Sequence, residues 1–196
     1  LWGVEREGPG LTLAESNLPD WIAARWRQTY GEATLTGLAL AAREEPPTDL
    51  SLKPGVEAAA VADSLDGETL PTGGVRTGRR GDVAGWPGFE AGLWWVQDAA
   101  AAPVRLLAPQ TGETALDMCA APGGKTLQLA AAGAVVTALD RSEVRLNRLR
   151  RNLERTGLEA EVVARPAEDW LDSRTFDAVL LDAPCTATGT VRRHPE

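Results

Sequence analysis

Asp182-Ala183-Pro184-Cys185 sets a carboxyl group, a rigid proline and a thiol within four residues, at the end of the apolar run that starts at Phe176. Carbon 5 of cytosine is too weak a nucleophile to take a methyl group directly. A thiolate adding to carbon 6 activates it, provided a donor neutralises the charge growing at ring nitrogen 3. Asp182, if protonated, has the chemistry for that ring edge. Pro184 would stiffen the loop and Cys185 would supply a thiol beside the base. The plainer alternative for Cys185 is a buried structural thiol.

A second constellation is Leu116-Asp117-Met118-Cys119-Ala120-Ala121-Pro122-Gly123-Gly124-Lys125-Thr126. It reads as a short buried strand, a Gly-rich turn and a helix opening on Lys125-Thr126. Amides exposed at such a turn and helix start form a polar, partly positive cradle for a nucleotide-like ligand. Two ligands compete for it. Cys119 to Thr126 nearly matches the phosphate-binding Gly-x-x-x-x-Gly-Lys-Ser/Thr loop, with Ala178 to Asp182 as its Walker B strand. Cys119, however, stands where that loop needs its first glycine. The other reading is a nucleoside cofactor. Val135 to Leu139 is a further apolar run, and it ends in Asp140, sixteen positions after Gly124, where a carboxylate can hold ribose hydroxyls. We favour the nucleoside. Lys125 is either a solvated cation or a group near cofactor or substrate, and its place directly after Gly123-Gly124 favours the second.

These residues need a scaffold, and strand–turn–helix units supply it. Strands are expected near 114–118, 134–139, 161–164 and 177–182, with helices near 125–132 and 143–156 and a shorter one near 167–172. Ser142 is a natural cap and Gly157 a natural stop for the second helix. Apolar strands alternating with helices imply a parallel sheet covered on both faces. Upstream, Asp20, as cap, opens a helix that stops at Tyr30-Gly31, and a second runs from Glu32 to Arg43. Trp21 and Trp26 are expected to pack in a core or domain contact. Residues 46 to 90 read as a small mixed piece: a strand at Leu50-Ser51-Leu52, a helix from Val56 to Leu65 with Gly67 beyond it, then strands between Leu70 and Gly85. An Ala-rich helix is expected from Ala99 to Leu107, before the Pro109-Gln110-Thr111-Gly112 turn.

The 196 residues carry a net charge of −8, with 43 % apolar side chains. No apolar stretch reaches the roughly 18 residues of a membrane span, and the start lacks a signal-peptide pattern. Cys119 and Cys185 are too few for a disulfide framework, which suggests reduced thiols in the cytoplasm. One histidine, His194, and no Cys-x-x-C argue against a zinc site, so no metal is expected. Acidity counts against a nucleic-acid partner, but it is unevenly spread. Residues 1–110 hold 9 basic and 15 acidic side chains, residues 111–196 hold 11 and 13, and six arginines fall between Arg141 and Arg155. Local patches govern phosphate contacts. Leu146, Leu149 and Leu153 form an apolar stripe among those arginines, so a solvated helix face is the default expectation and an RNA phosphate contact the sharper one. Arg76, Arg79 and Arg80 are read the same way, as a solvated loop.

Asp117-x-Cys-Ala-Ala-Pro-Gly-Gly-Lys-Thr126, Ala138-Leu-Asp140, Asp182-Ala-Pro-Cys185-x-Ala-Thr-Gly189 and Arg192-Arg-His-Pro195 together resemble the Sun-type RNA cytosine-5 methyltransferases, on the side of the bacterial small-subunit ribosomal RNA enzymes. Gly88-Phe-Glu and Val96-Gln-Asp98 resemble that family's lead into its catalytic domain. The resemblance implies an α/β fold: a class I Rossmann-like sheet that binds S-adenosyl-L-methionine, here lacking its C-terminal strands, preceded by a small α+β domain. It divides the chain into a helical tail of an RNA-binding domain (1–45), a small RNA-binding or linker domain (46–110) and the start of the methyltransferase domain (111–196). It places Cys119, Ala120, Ala121, Pro122, Gly123, Gly124 and Lys125 along the cofactor, Asp140 at its ribose and Asp182 between cofactor and base. The implied partner is ribosomal RNA, 16S rRNA in particular.

The chain departs from the family in three places. The family's covalent nucleophile lies in a Thr-Cys motif on a later strand, absent up to Glu196, while its Pro-Cys cysteine, here Cys185, assists product release. An acid after the third strand is replaced by Val163-Ala164-Arg165-Pro166, with Glu168 and Asp169 as the nearest substitutes. Leu52-Lys53-Pro54-Gly55 stands for an Arg-Val-Asn-like stretch. The chain is therefore expected to be a piece of a longer protein, unable to complete methyl transfer alone, with strand 177–182 left as an exposed edge. A non-catalytic RNA-binding module is the alternative.

Overall fold

The computed structural model describes residues 18–41, 45–101 and 111–185, which form two compact units. The first contains helices α1 (Asp20–Tyr30) and α2 (Glu32–Ala41). Gly31, at φ 80°, breaks the chain between them, and Leu18, Ala23, Leu35 and Ala39 pack together with Trp26 against them. Two expectations are corrected here. Pro19, not Asp20, is the cap of α1, its carbonyl accepting from the amides of Ile22 and Ala23. Asp20 instead sits in the first turn, where its charge meets the positive end of the helix dipole. Trp21 is 55 % exposed rather than in a core.

The second unit runs from Pro47 to Pro184. It opens with β1 (Thr48–Leu52), α3 (Ala58–Ser64), β2 (Gly67–Thr69), β3 (Val75–Thr77) and β4 (Trp94–Val96). These strands form an antiparallel sheet in the order β2-β3-β1-β4. Leu50, Val61, Leu65, Val75, Trp86 and Trp94 fill its core. The strands expected between Leu70 and Gly85 are displaced: β2 starts earlier, at Gly67, and the stretch after Thr77 is not a strand. Gly81 takes φ 101°, and the Asp82 carboxylate accepts from the Ala84 amide to close a 3-10 turn at Val83–Gly85. Arg76 is not a solvated loop cation. It sits on β3 and donates two hydrogen bonds, of 2.7 and 2.9 Å, to buried Asp49, which also accepts from the Ala99 amide. The later part of the helix expected over Ala99 to Leu107 lies outside the described residues.

The remainder is β5 (Thr114–Met118), α4 (Gly124–Ala131), β6 (Val135–Asp140), α5 (Glu143–Thr156), β7 (Glu161–Ala164) and β8 (Ala178–Leu181). All four strands are parallel, in the order β7-β6-β5-β8, as the alternating pattern implies. The expected short helix near 167–172 is a single 3-10 turn at Ala167–Asp169. Ser142 caps α5, accepting from the Arg145 amide, and Gly157 ends it in the left-handed conformation at φ 64°. Leu146, Leu149 and Leu153 from α5 join Leu127, Ala138 and Trp95 in one core. The carboxyl ends of β5, β6 and β8 thus deliver Cys119, Asp140 and Asp182 to the same end of the sheet, where open α/β sheets bind ligands.

Candidate functional site

The turn after β5 is shaped by close packing. Cys119 takes φ 67°, unusual for a residue with a side chain, and the Ala120 amide then donates to the Leu139 carbonyl at 3.0 Å. Gly123 is the cap of α4 at φ 112°. A Cβ there would run into Leu149 Cδ1 and lie 3.2 Å from Leu149 Cβ, so only glycine fits against α5. The amides opening α4 have no carbonyl one turn back to pair with, which leaves donors facing the strand ends.

Asp140 fastens this turn. Its side chain is 2 % exposed; Oδ2 accepts from the Ala121 amide at 3.0 Å and Oδ1 from the Ser142 amide at 2.9 Å. Arg145 pairs with Asp140 at 3.5 Å and donates to the Ala121 carbonyl. Oδ2 faces both the Ala121 amide and Arg145, whereas Oδ1 accepts only the Ser142 amide among these contacts, so acceptor capacity remains on Oδ1. Lys125 and Asp182 form an ion pair across the mouth between α4 and β8, with Asp182 60 % exposed. Beneath them Asp117, almost wholly buried, accepts from the Thr126 hydroxyl at 2.6 Å. Burial pushes its carboxyl up to about 6, against the opposing pull of the Thr126 hydrogen bond and the Lys125 charge.

Among the expected site residues, Ala120, Ala121, Gly123 and Asp140 are buried, Cys119, Gly124 and Lys125 half-buried, and Pro122 and Asp182 exposed. Cys185 is exposed and is grouped with the first unit. Glu168 and Asp169 lie exposed in the 3-10 turn following β7. Sequence reasoning passed over four residues. Asp117 and Thr126 pair within the motif itself. Arg145 was read as part of a solvated face or an RNA phosphate contact, not as a partner of Asp140. Gln97 donates to the Gln128 side chain at 3.0 Å and accepts from Trp95, whose indole also donates to the Gly124 carbonyl. A lone glutamine beside two tryptophans, Trp94-Trp95-Val96-Gln97, was the available signal.

Comparison with known proteins agrees with this geometry. Residues 104–196 match the family model described as 16S rRNA methyltransferase RsmB/F. The chain is 46 % identical over 153 residues to ribosomal RNA small subunit methyltransferase B of Sodalis glossinidius, covering 75 % of this chain and 34 % of that protein. It is 40 % identical over 192 residues to the Yersinia enterocolitica protein of the same name, covering 91 % and 44 %. The chain thus spans less than half the length of these curated relatives. Among solved structures, a methyltransferase homologue from Pyrococcus horikoshii superimposes with a TM-score of 0.70 at 29 % identity, over 94 % of this chain and 63 % of that one. With the motif turn, the acid closing β6 and the parallel sheet all in place, residues 104–196 match the RsmB/F family of Rossmann-like methyltransferases.

Proposed function

We propose that this chain is the cofactor-binding part of an S-adenosyl-L-methionine-dependent enzyme that methylates carbon 5 of a cytosine in small-subunit ribosomal RNA. The observation that carries the reading is Asp140, buried at the end of β6 and tied to the Ala121 amide of the Gly-rich turn. The donor set fits the cofactor. The amides opening α4 suit its carboxylate, and the spare lone pairs of Asp140 suit its ribose hydroxyls. Cys119 to Lys125 line it in this reading, and the cofactor supplies the methyl group. The names of the two curated relatives support rRNA as substrate.

Asp182 and Lys125 face the base. Their ion pair holds a proton-bearing group and a carboxylate together at the strand ends, able to hydrogen-bond the cytosine ring edge and balance charge at nitrogen 3. Cys185 assists at the same base. Residues 111–196 belong to the catalytic domain, residues 46–110 to a small RNA-binding or linker piece, and residues 1–45 to the tail of an RNA-binding domain. No described helix is long and apolar enough to cross a membrane; we assign the protein to the cytoplasm, where rRNA is modified.

Disrupting the gene that encodes this sequence and mapping 5-methylcytosine in small-subunit rRNA by bisulfite sequencing tests the proposal. One methylated cytosine should disappear, return with the intact gene, and stay absent with the Asp182→Ala allele. An unchanged methylation map would refute it.

A further inference from the structure

Helix α5 divides its charges by face. Glu143, Asn147, Arg150 and Glu154, spaced by four, three and four, line one side, and Arg150 is held 2.7 Å from Glu143. Arg141 just ahead of the helix, then Arg145, Arg148, Arg151 and Arg155 within it, are spaced by four, three, three and four on another side that carries no acid. Within the helix both spacings follow the helical period, so each set is a stripe, and Arg141 stands just ahead of the second one. The leucines occupy the buried third face.

The two ends of the arginine stripe are anchored. Arg145 reaches the Ala121 carbonyl and Asp140 in the cofactor turn. Arg155 lies 3.9 Å over the Phe89 ring and donates to the Trp94 carbonyl at 3.1 Å, with Glu90 the acid near it. The other three, Arg141, Arg148 and Arg151, are exposed and have no ion-pair partner among the described residues. In a chain of net charge −8, three unpaired arginines on one acid-free strip are not explained by folding. Like charges at these spacings repel one another, and a polyanion lying on the strip would relieve that repulsion. Glu143 to Arg151 spans about 12 Å of helix, and the strip begins at Arg141, directly after Asp140 of the cofactor turn. Arginine is also the side chain that best matches phosphate, through its planar fork of donors.

We propose that the Arg141–Arg148–Arg151 strip of α5 is a track for the phosphate backbone of the substrate RNA, leading a single strand toward the strand ends that carry Asp140 and Asp182. The assignment rests on the RNA-methylating reading above and adds the surface that holds the RNA. The contacts are to phosphates, so they position the strand without reading its sequence.

The test is fluorescence anisotropy of a labelled single-stranded RNA from small-subunit rRNA, titrated with the 196-residue chain at several salt concentrations. The triple variant Arg141→Gln/Arg148→Gln/Arg151→Gln should bind at least about tenfold more weakly, with a slope of log affinity against log salt shallower by about 2, at roughly 0.7 per lost single-strand phosphate contact. A charge-matched control, Arg79→Gln/Arg150→Gln/Arg174→Gln, removes arginines that already have carboxylate partners and should bind within about twofold of wild type. Urea midpoints check folding, and Arg148→Gln alone carries the test if the triple variant is destabilised. Equal affinity of wild type and triple variant, or equal weakening by the control, overturns the track. Loss of binding to anionic phospholipid vesicles with RNA binding intact would assign the strip to a lipid surface and overturn it too. Wild-type chain that binds S-adenosylhomocysteine but no RNA overturns the track while leaving the cofactor reading; binding neither overturns both.

Discussion

Asp117 shows how a single residue ties the stability of this fold to its site. Its carboxyl rises from 3.8 to about 6 because burial disfavours the charge. Between about pH 4 and 6 the folded chain therefore holds a proton that the unfolded chain has released, so stability falls as pH rises through that window. Two units correspond to about 3 kcal/mol. Asp117→Asn keeps an acceptor for the Thr126 hydroxyl and removes the charge. Urea unfolding should show the variant about 2 kcal/mol more stable than wild type at pH 7.5, with the gap closed at pH 4; parallel pH curves would contradict this. Gly123 is the complementary case. At φ 112° and pressed on buried Leu149, Gly123→Ala should lose roughly 2–4 kcal/mol in chemical denaturation, from backbone strain and overpacking together. The motif residues themselves were legible in the sequence because strand ends and glycines advertise them. Asp117 and Thr126 were passed over because their pairing is a tertiary contact inside a motif already assigned to the ligand.

At the scale of elements, the parallel strands were readable because apolar runs bounded by turn residues leave few alternatives. The antiparallel sheet was readable in part, at residues 50–52 of β1 and around β3, but not at β4. β4 is only three residues, Trp94 to Val96, and both of its tryptophans are buried, so it shows no alternation. Leu70 to Gly85 reads as strands joined by Gly-rich turns, but after Thr77 Gly81 and the capping Asp82 bend the chain away. Arg155 was equally opaque. It lies in a helix that reads as solvated, yet it stacks on Phe89 and bonds the Trp94 carbonyl, pinning α5 to the antiparallel sheet. Arg155→Lys keeps the charge and loses the fork and the stacked plane, so thermal or urea unfolding should show a loss of about 1–2 kcal/mol. An unchanged midpoint would mean the pin is dispensable.

For the molecule as a whole, the described parallel sheet ends in an edge. On β8, Val179 is 57 % and Leu181 60 % exposed, a flat apolar strand of the kind that pairs with other chains. Val179→Lys should lower concentration-dependent light scattering of this 196-residue chain without changing its circular dichroism; equal scattering would clear the edge of blame. At the carboxyl ends of that sheet's strands, β5, β6 and β8 converge on the turn proposed to hold a nucleoside cofactor. Calorimetric titration of the chain with S-adenosylhomocysteine, with ATP in parallel, tests that assignment most directly. The chain should bind S-adenosylhomocysteine, lose that binding in an Asp140→Ala variant that still folds by circular dichroism, and not bind ATP. Saturable ATP binding with no response to S-adenosylhomocysteine would contradict it and return the Gly-rich turn to the phosphate-loop reading.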